Sequence, residues 1–225
     1  MKTLAILPVK SFGAAKQRLA ESLGAGSREA LAQAMFTDVL GALRRTEELD
    51  EIVVITSDRA ADAAARGHGV VVLADTVQAG QSKAAQIGVH HALAHGFERV
   101  VLVPGDTPLV QPADLAGLLS RSAPGVSVVP DRHGTGTNGL VLAPPDAIEP
   151  SFGTDSCGRH LALADEAGVP VRMVEVAALA LDVDTPDDLA ALSAELQRRR
   201  GQAPSTRGAL SQLGRAGAAP VRASA

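Results

Sequence analysis

The chain has no tryptophan, no tyrosine and only four phenylalanines in 225 residues. Any core it builds is aliphatic, and it lacks the aromatic platforms on which single-stranded nucleic acid stacks. A single cysteine, Cys157, excludes an internal disulfide framework and a thiolate zinc cluster and fits a reduced, cytoplasmic compartment. Neither G-x-x-x-x-G-K-[ST] nor G-x-S-x-G occurs, which removes P-loop ATPases and the usual hydrolase elbow. No apolar run has the length needed to span a bilayer. The first one, Met1–Leu7, is interrupted by Pro8 and Lys10 too soon for a signal peptide.

What is present suits one sizeable domain that buries a core without staples. The formal charge of −4 hides an asymmetry: residues 198–225 carry six arginines and no acid, leaving 15 basic against 25 acidic groups in residues 1–197. An acidic body does not bind nucleic acid, but it binds nucleotides where metal ions screen the phosphates. The Arg-rich segment 198–225 is also rich in Gly, Ala, Pro and Ser, and its composition predicts a disordered C-terminal tail behind a domain spanning 1–197. Oligomeric state is not legible in these patterns.

Short β-branched runs alternate with helical segments. Strands are expected at Thr3–Val9, Ile52–Thr56, Val70–Leu73, Val100–Val103, Val126–Val129, Leu140–Leu142 and Val171–Val176. Helices are expected at 27–46 with Ser27 as cap, after Ser57-Asp58, at Ser82–His95, from Pro112 or Asp114, at Asp155–Ala167 and at Pro186–Leu196. For Ser82–His95 the inner face reads as Ala85, Val89, Ala92 and Leu93. The alternation predicts a single α/β domain of Rossmann-like type, its mainly parallel sheet covered by helices on both faces. Ligands of such sheets sit beyond the carboxyl ends of strands, near a reversal of strand order.

Four segments carry chemistry at such positions. At the end of the first strand Pro8 and Val9 lead into Lys10, Lys16 and Arg18, three cations suited to phosphate as a point charge or a bidentate fork; a solvated basic turn would give the same pattern. Pro104-Gly105-Asp106-Thr107-Pro108 delivers one carboxylate at a strand tip, half of a magnesium site, unless Asp106 merely caps the next helix. Asp182 and Asp184 alternate with Val183 and face one side, so Asp184 can complete the site with Asp106, while Asp187 and Asp188 suit the positive end of a helix opening at Pro186. The loop Asp131–Gly139 contains Gly134, Gly136 and Gly139 in a literal G-x-G-x-x-G, but it leads into a strand and not a helix, so it is not a dinucleotide fingerprint. Its amides and hydroxyls still suit an anion, as does the helix start at Phe152-Gly153-Thr154-Asp155-Ser156. His91 and His95 stand one turn apart but lack a third zinc ligand and read as a solvated helix face.

Taken in order, Leu7-Pro8-Val9-Lys10, Lys16-Gln17-Arg18-Leu19, Pro104-Gly105-Asp106-Thr107-Pro108, Gly136-Thr137-Asn138 and Phe152-Gly153-Thr154-Asp155-Ser156 resemble the guanylyltransferases of coenzyme F420 biosynthesis, over roughly residues 1–197. The resemblance implies a nucleotidyltransferase fold and transfer of GMP from GTP to phosphoenolpyruvate or 2-phospho-L-lactate, with release of pyrophosphate. It implies Mg²⁺ held by Asp106 and Asp184, with Asp182 as substitute or supporting partner. Pro8, Lys10, Lys16 and Arg18 correspond to the nucleotide-phosphate loop, Lys10, Lys16 and Asp106 being the catalytic set. Gly80 and Gln81 fall where related enzymes approach base or ribose, although Gln81-Ser82 departs from the Leu-Asn of the pattern. Thr137, Gly153 and Ser156 correspond to the site of the phosphorylated acid, with Asn138 as the alternative to Thr137. A phosphate nucleophile is already ionised and needs no general base, which fits a chain without an evident catalytic His or Cys. Two other readings stay open: a sister enzyme acting on a molybdopterin or sugar phosphate, and a non-catalytic nucleotide-binding module.

Overall fold

The computed structural model describes residues 1–76 and 78–217. In chain order the elements are β1 (Thr3–Val9), two 3₁₀ turns (Phe12–Ala14 and Gln17–Leu19), α1 (Ala25–Arg44), β2 (Glu51–Thr56), α2 (Arg59–Gly67), β3 (Val71–Ala74), α3 (Gln81–Ala94), β4 (Arg99–Leu102), α4 (Pro112–Arg121), β5 (Gly125–Pro130), β6 (Thr137–Ala143), α5 (Ser156–Glu166), β7 (Val171–Met173), α6 (Ala177–Ala180), α7 (Pro186–Arg198) and α8 (Pro204–Gly217). The seven strands form one sheet in the order β3-β2-β1-β4-β6-β5-β7, in which β6 alone runs against the rest.

Side-chain alternation along the central strands divides the core into two layers. Leu4 and Ile6 of β1, Val53 and Ile55 of β2 and Val100 and Leu102 of β4 point to one face, where α3 and α5 cover them. Ala5, Leu7, Val54 and Val101 point to the other, under α1, α2 and α4. Both faces are thus covered, as the near-continuous apolar runs require. On the first face α3 lies directly on β1: a Cβ at Gly88 would come within 2.6 Å of Ile6. Ala84, Ala85, Gly88, Val89 and Ala92 form the buried side of α3, whereas Leu93, expected there, is 42% exposed.

Local chemistry sets most helix starts. Asp58 accepts from the amides of Ala60 and Ala61 at the head of α2. Pro186 opens α7, where Thr185 and Asp188 form a reciprocal capping box. Elsewhere the boundaries differ from the expected ones. The cap of α1 is Gly24, not Ser27. β6 begins at Thr137, so the glycine-rich loop ends at Gly136 and Thr137, Asn138 and Gly139 belong to a buried strand. β7 ends at Met173, although Val174 and Val176 beyond it remain buried.

The largest difference lies in the segment expected to be a disordered tail. After α7 the chain turns back and forms α8, which packs on α1. Asp38 in the middle of α1 accepts from Ser205 N (3.1 Å), Thr206 N (2.8 Å) and Thr206 Oγ1 (2.7 Å), supplying a carboxylate to the positive end of α8. Thr206 is fully buried, and Arg207 donates to the carbonyls of Gln202 (2.9 Å) and Arg199 (2.6 Å). The carboxylate that receives the first turn of α8 belongs to another helix, so the composition of α8 does not announce it. Residues 218–225 lie outside the described residues. No helix among the described residues is long and apolar enough to cross a membrane.

Candidate active site

With β1 flanked by β2 on one side and β4 on the other, the connections leaving the carboxyl ends of β1 and β4 diverge and open a crevice. A cleft of about 610 Å³ lies there, within the usual range of small-ligand sites. The end of β1 contributes Pro8 and the loop after it Lys10, Lys16 and Arg18 to its wall, the head of α3 contributes Gly80 and Gln81, and the turn beyond β4 contributes Asp106. Asp184 closes the rim from the approach to α7.

The loop after β1 is anchored at both ends of its turns. Phe12 is buried against Phe36, with ring centroids 5.6 Å apart, and its amide donates to Asp58 Oδ2 (3.2 Å). Leu19 is fully buried with Leu31 and Met35. Between these anchors Lys16 takes a left-handed backbone conformation, φ 57°, that few non-glycine residues adopt. Its side chain crosses to the carboxylates, where Nζ donates to Asp106 Oδ2 and to Asp184 Oδ1 (3.0 Å). Burial works against the charge on Lys16, but attraction to Asp106 and Asp184 outweighs it and holds the ammonium above the usual lysine range.

Asp182 stands beside this pair. Asp106, Asp182 and Asp184 each offer an oxygen, all within 4.8 Å of one another. Burial, followed by repulsion from Asp106, raises the Asp182 carboxyl to about 6, against a lowering hydrogen bond from Asn138. Asp106 Oδ1 is buried without a hydrogen-bond partner. An all-oxygen donor set, a carboxyl destabilised by its neighbours and an orphaned carboxylate oxygen together suit a hard divalent cation.

The residues expected around the acceptor lie outside the cleft, one strand further on. Asn138 Nδ2 donates to Asp182 Oδ1 (3.0 Å) and Leu179 O (2.9 Å), so this side chain orients a carboxylate. Thr137 Oγ1 instead meets His160 Nδ1 at 3.0 Å. Gly153 has φ 112°, a conformation that a side chain would strain, and Arg159 wraps the loop around it by donating to the carbonyls of Ser151, Phe152 and Thr154. Ser156 is buried at the head of α5.

Two expected anion nests are already filled by the chain itself. In the glycine loop, Asp131 Oδ1 accepts from the amides of His133 (3.1 Å) and Thr135 (3.0 Å), an Asx-type closure that places a carboxylate where an external anion was expected. At the head of α5, the amides of Ser156 and Cys157 donate to Gly153 O (3.1 Å) and Thr135 O (3.0 Å). His91 pairs with Glu51 at 2.8 Å and stacks on His95 on the outer surface of α3, away from the cleft. Cys157 is buried, and burial pushes its thiol up.

Sequence reasoning missed two participants, Asp38 under α8 and His160 behind Thr137, and did not anticipate that Ser82 Oγ accepts from Phe152 N (2.8 Å). Only His160 left a signal, its position one turn after Ser156 on the same helix.

Seven strands wound this way, with the crevice between β1 and β4, make the fold that of nucleotidyltransferases. A solved nucleotidyl transferase from Methanothermobacter thermautotrophicus superposes with a TM-score of 0.65 at 18% identity, over 88% of this chain and 98% of that one. The chain is a nucleotidyltransferase, and over residues 3–201 its sequence matches the family described as Guanylyl transferase CofC like, to which it belongs. It is 54% identical over 216 residues to a phosphoenolpyruvate guanylyltransferase of Conexibacter woesei, covering 95% of this chain and 97% of that protein. It is 36% identical over 189 residues to a 2-phospho-L-lactate guanylyltransferase of Methanothermobacter thermautotrophicus, covering 84% and 83%.

Proposed function

We propose that this chain transfers GMP from GTP to phosphoenolpyruvate with release of pyrophosphate, as a cytoplasmic step of coenzyme F420 biosynthesis. The observation that carries the reading is the convergence of Lys10, Lys16 and Arg18 with Asp106 and Asp184 on one crevice at the ends of β1 and β4. The higher identity to the phosphoenolpyruvate enzyme favours that acceptor over 2-phospho-L-lactate, which shares its phosphate and carboxylate.

In this reading Lys10 and Arg18 grip the triphosphate, and Gly80 and Gln81 approach the base or ribose. An ionised oxygen of the acceptor phosphate attacks the α-phosphorus, the bond from that phosphorus to the β-phosphate oxygen breaks, and pyrophosphate leaves with both electrons of that bond. Mg²⁺, held by Asp106 and Asp184 with Asp182 alongside, would offset phosphate charge and polarise the α-phosphate. Lys16, already between two of those carboxylates, keeps a positive charge at the place where anions meet. The phosphorylated acid meets Thr137, Gly153 and Ser156 through groups other than the Ser156 and Cys157 amides, which the chain already engages, while Asn138 acts on Asp182.

The test is pyrophosphate release by purified protein with Mg²⁺, each of the four nucleoside triphosphates and each phosphorylated acid. Release that requires GTP together with phosphoenolpyruvate is the expected outcome. Release with GTP and another phosphorylated acid would replace the acceptor, and folded protein inert with every pair would refute the assignment.

A further inference from the structure

One buried titratable side chain stands behind the acceptor residues. His160, on α5, is fully shielded from solvent. Its Nε2 lies 2.9 Å from the Ser151 amide nitrogen and its Nδ1 lies 3.0 Å from Thr137 Oγ1. A backbone amide only donates, so Nε2 must present its lone pair. Burial, reinforced by the charge of Arg159, pushes the imidazolium pKa down to about 4, so the ring is neutral at pH 7 and carries its one hydrogen on Nδ1. Nδ1–H therefore donates to Thr137 Oγ1. A hydroxyl whose lone pair is engaged in this way has its own proton left to give, and Oγ1 has no second partner among the described residues.

The polarity matters because the acceptor is an anion. A threonine hydroxyl left to itself presents either a lone pair or a proton, and a lone pair facing a phosphate or carboxylate is repelled. We propose that His160 is a positioning residue for the phosphorylated acid: it fixes the Thr137 hydroxyl as a donor toward that acid and pins the adjoining loop through Ser151. The Phe152 ring meets the imidazole edge-on at 5.3 Å, so the loop and the ring hold one another in register. This role rests on the reading of Thr137 as an acceptor contact.

The test is a double-mutant cycle of His160→Gln and Thr137→Val, measured by pyrophosphate release with GTP, Mg²⁺ and phosphoenolpyruvate. Glutamine places its amide oxygen near the position of Nε2, keeping the Ser151 bond while removing the Nδ1–H donor. Each single variant should raise KM for phosphoenolpyruvate about tenfold and leave KM for GTP within about twofold, on the scale of one hydrogen bond to a charged group. The double variant should be no worse than T137V, because one hydroxyl carries both effects. His160→Asn, whose amide nitrogen falls near Nδ1, should restore the acceptor KM to within about threefold of wild type. Effects that multiply, or a GTP KM that moves as far as the acceptor KM, would overturn the role. Should H160Q not fold, H160N decides alone: an acceptor KM near wild type supports the role and a tenfold rise overturns it. A wild-type protein inert with every phosphorylated acid would overturn the acceptor reading and this role with it. An active wild type with multiplying variants would overturn only the role of His160.

Discussion

The two halves of the sheet arrange their polar groups in opposite ways. At the ends of β1 and β4, Lys10 and Arg18 stand exposed on the cleft wall, and three carboxylates crowd together with a single lysine paired to two of them. Across β5, β6 and α5 the polar groups are already paired: Asn138 on Asp182, Thr137 on His160, Arg159 on three loop carbonyls, Asp131 on its own loop amides. The first half is an unbalanced electrostatic site that a metal ion and a triphosphate would complete. The second is a preorganised set of hydrogen bonds among its own side chains and loops. In the proposed reaction, a large, multiply charged donor pairs naturally with the former, and a small acid that offers few contacts gains most from the latter.

Breaking the unbalanced half should have the largest effect. Asp106→Asn should lower pyrophosphate release by about 10²–10³-fold with the fold intact, because in the proposed mechanism it removes a cation ligand with almost no change in side-chain volume. Near-wild-type turnover in that variant would remove Asp106 from the metal site.

The preorganised half should reveal itself in the pH dependence of stability. His160 is held near pKa 4 in the folded chain, chiefly by burial and then by Arg159, against about 6.5 when unfolded. Its contribution is complete above pH 6.5. Below that the unfolded chain binds a proton that the folded chain refuses, and up to about 3 kcal/mol is lost by the time the pH reaches 4. Urea unfolding of wild type and H160N between pH 7 and 4 should show the wild type losing more stability on acidification. Parallel curves would show that His160 is not held neutral.

Smaller effects probe what lies outside both halves. Asp38→Ala should cost about 1–3 kcal/mol by stripping the acceptor from Ser205 and Thr206, seen as a lower urea midpoint. Kinetic constants per folded molecule should stay near wild type. Ser82→Ala removes the bond that ties the head of α3 to Phe152, which joins the two halves as the Asn138–Asp182 bond does. It should cost about 1 kcal/mol and raise the acceptor KM a few-fold, while a change confined to GTP would place Ser82 with the nucleotide instead.

The unbalanced half was largely legible in the sequence. Exposed cations after a strand and lone aspartates at strand tips have the same meaning before and after folding, and the alternation Asp182-Val183-Asp184 anticipated that both carboxylates share a side. The preorganised half was not, because its meaning depends on partners distant in sequence. The amides of the Asp131–Gly136 loop looked available for an anion, but which carboxylate fills them is a matter of loop geometry. Thr137 and Asn138 are adjacent in a strand and point to opposite faces, so only the pairing of β6 could assign one to His160 and the other to Asp182. Asp38 reads as a surface acid on an amphipathic helix, and its partners follow 167 and 168 residues later. Likewise, nothing within the Gly-, Ala- and Ser-rich α8 indicates that a carboxylate waits for its first turn.

That last contact bears on how the protein can be handled. The matched family region ends at residue 201, three residues before α8 begins, and a boundary drawn there would look natural. Trimming at that point would uncover Asp38, about one helical turn from Met35, which lines the cleft at the ends of β1 and β4. A shortened version would thus carry a bare carboxylate behind the wall of its own binding site, so affinity tags and fusion partners belong beyond residue 217.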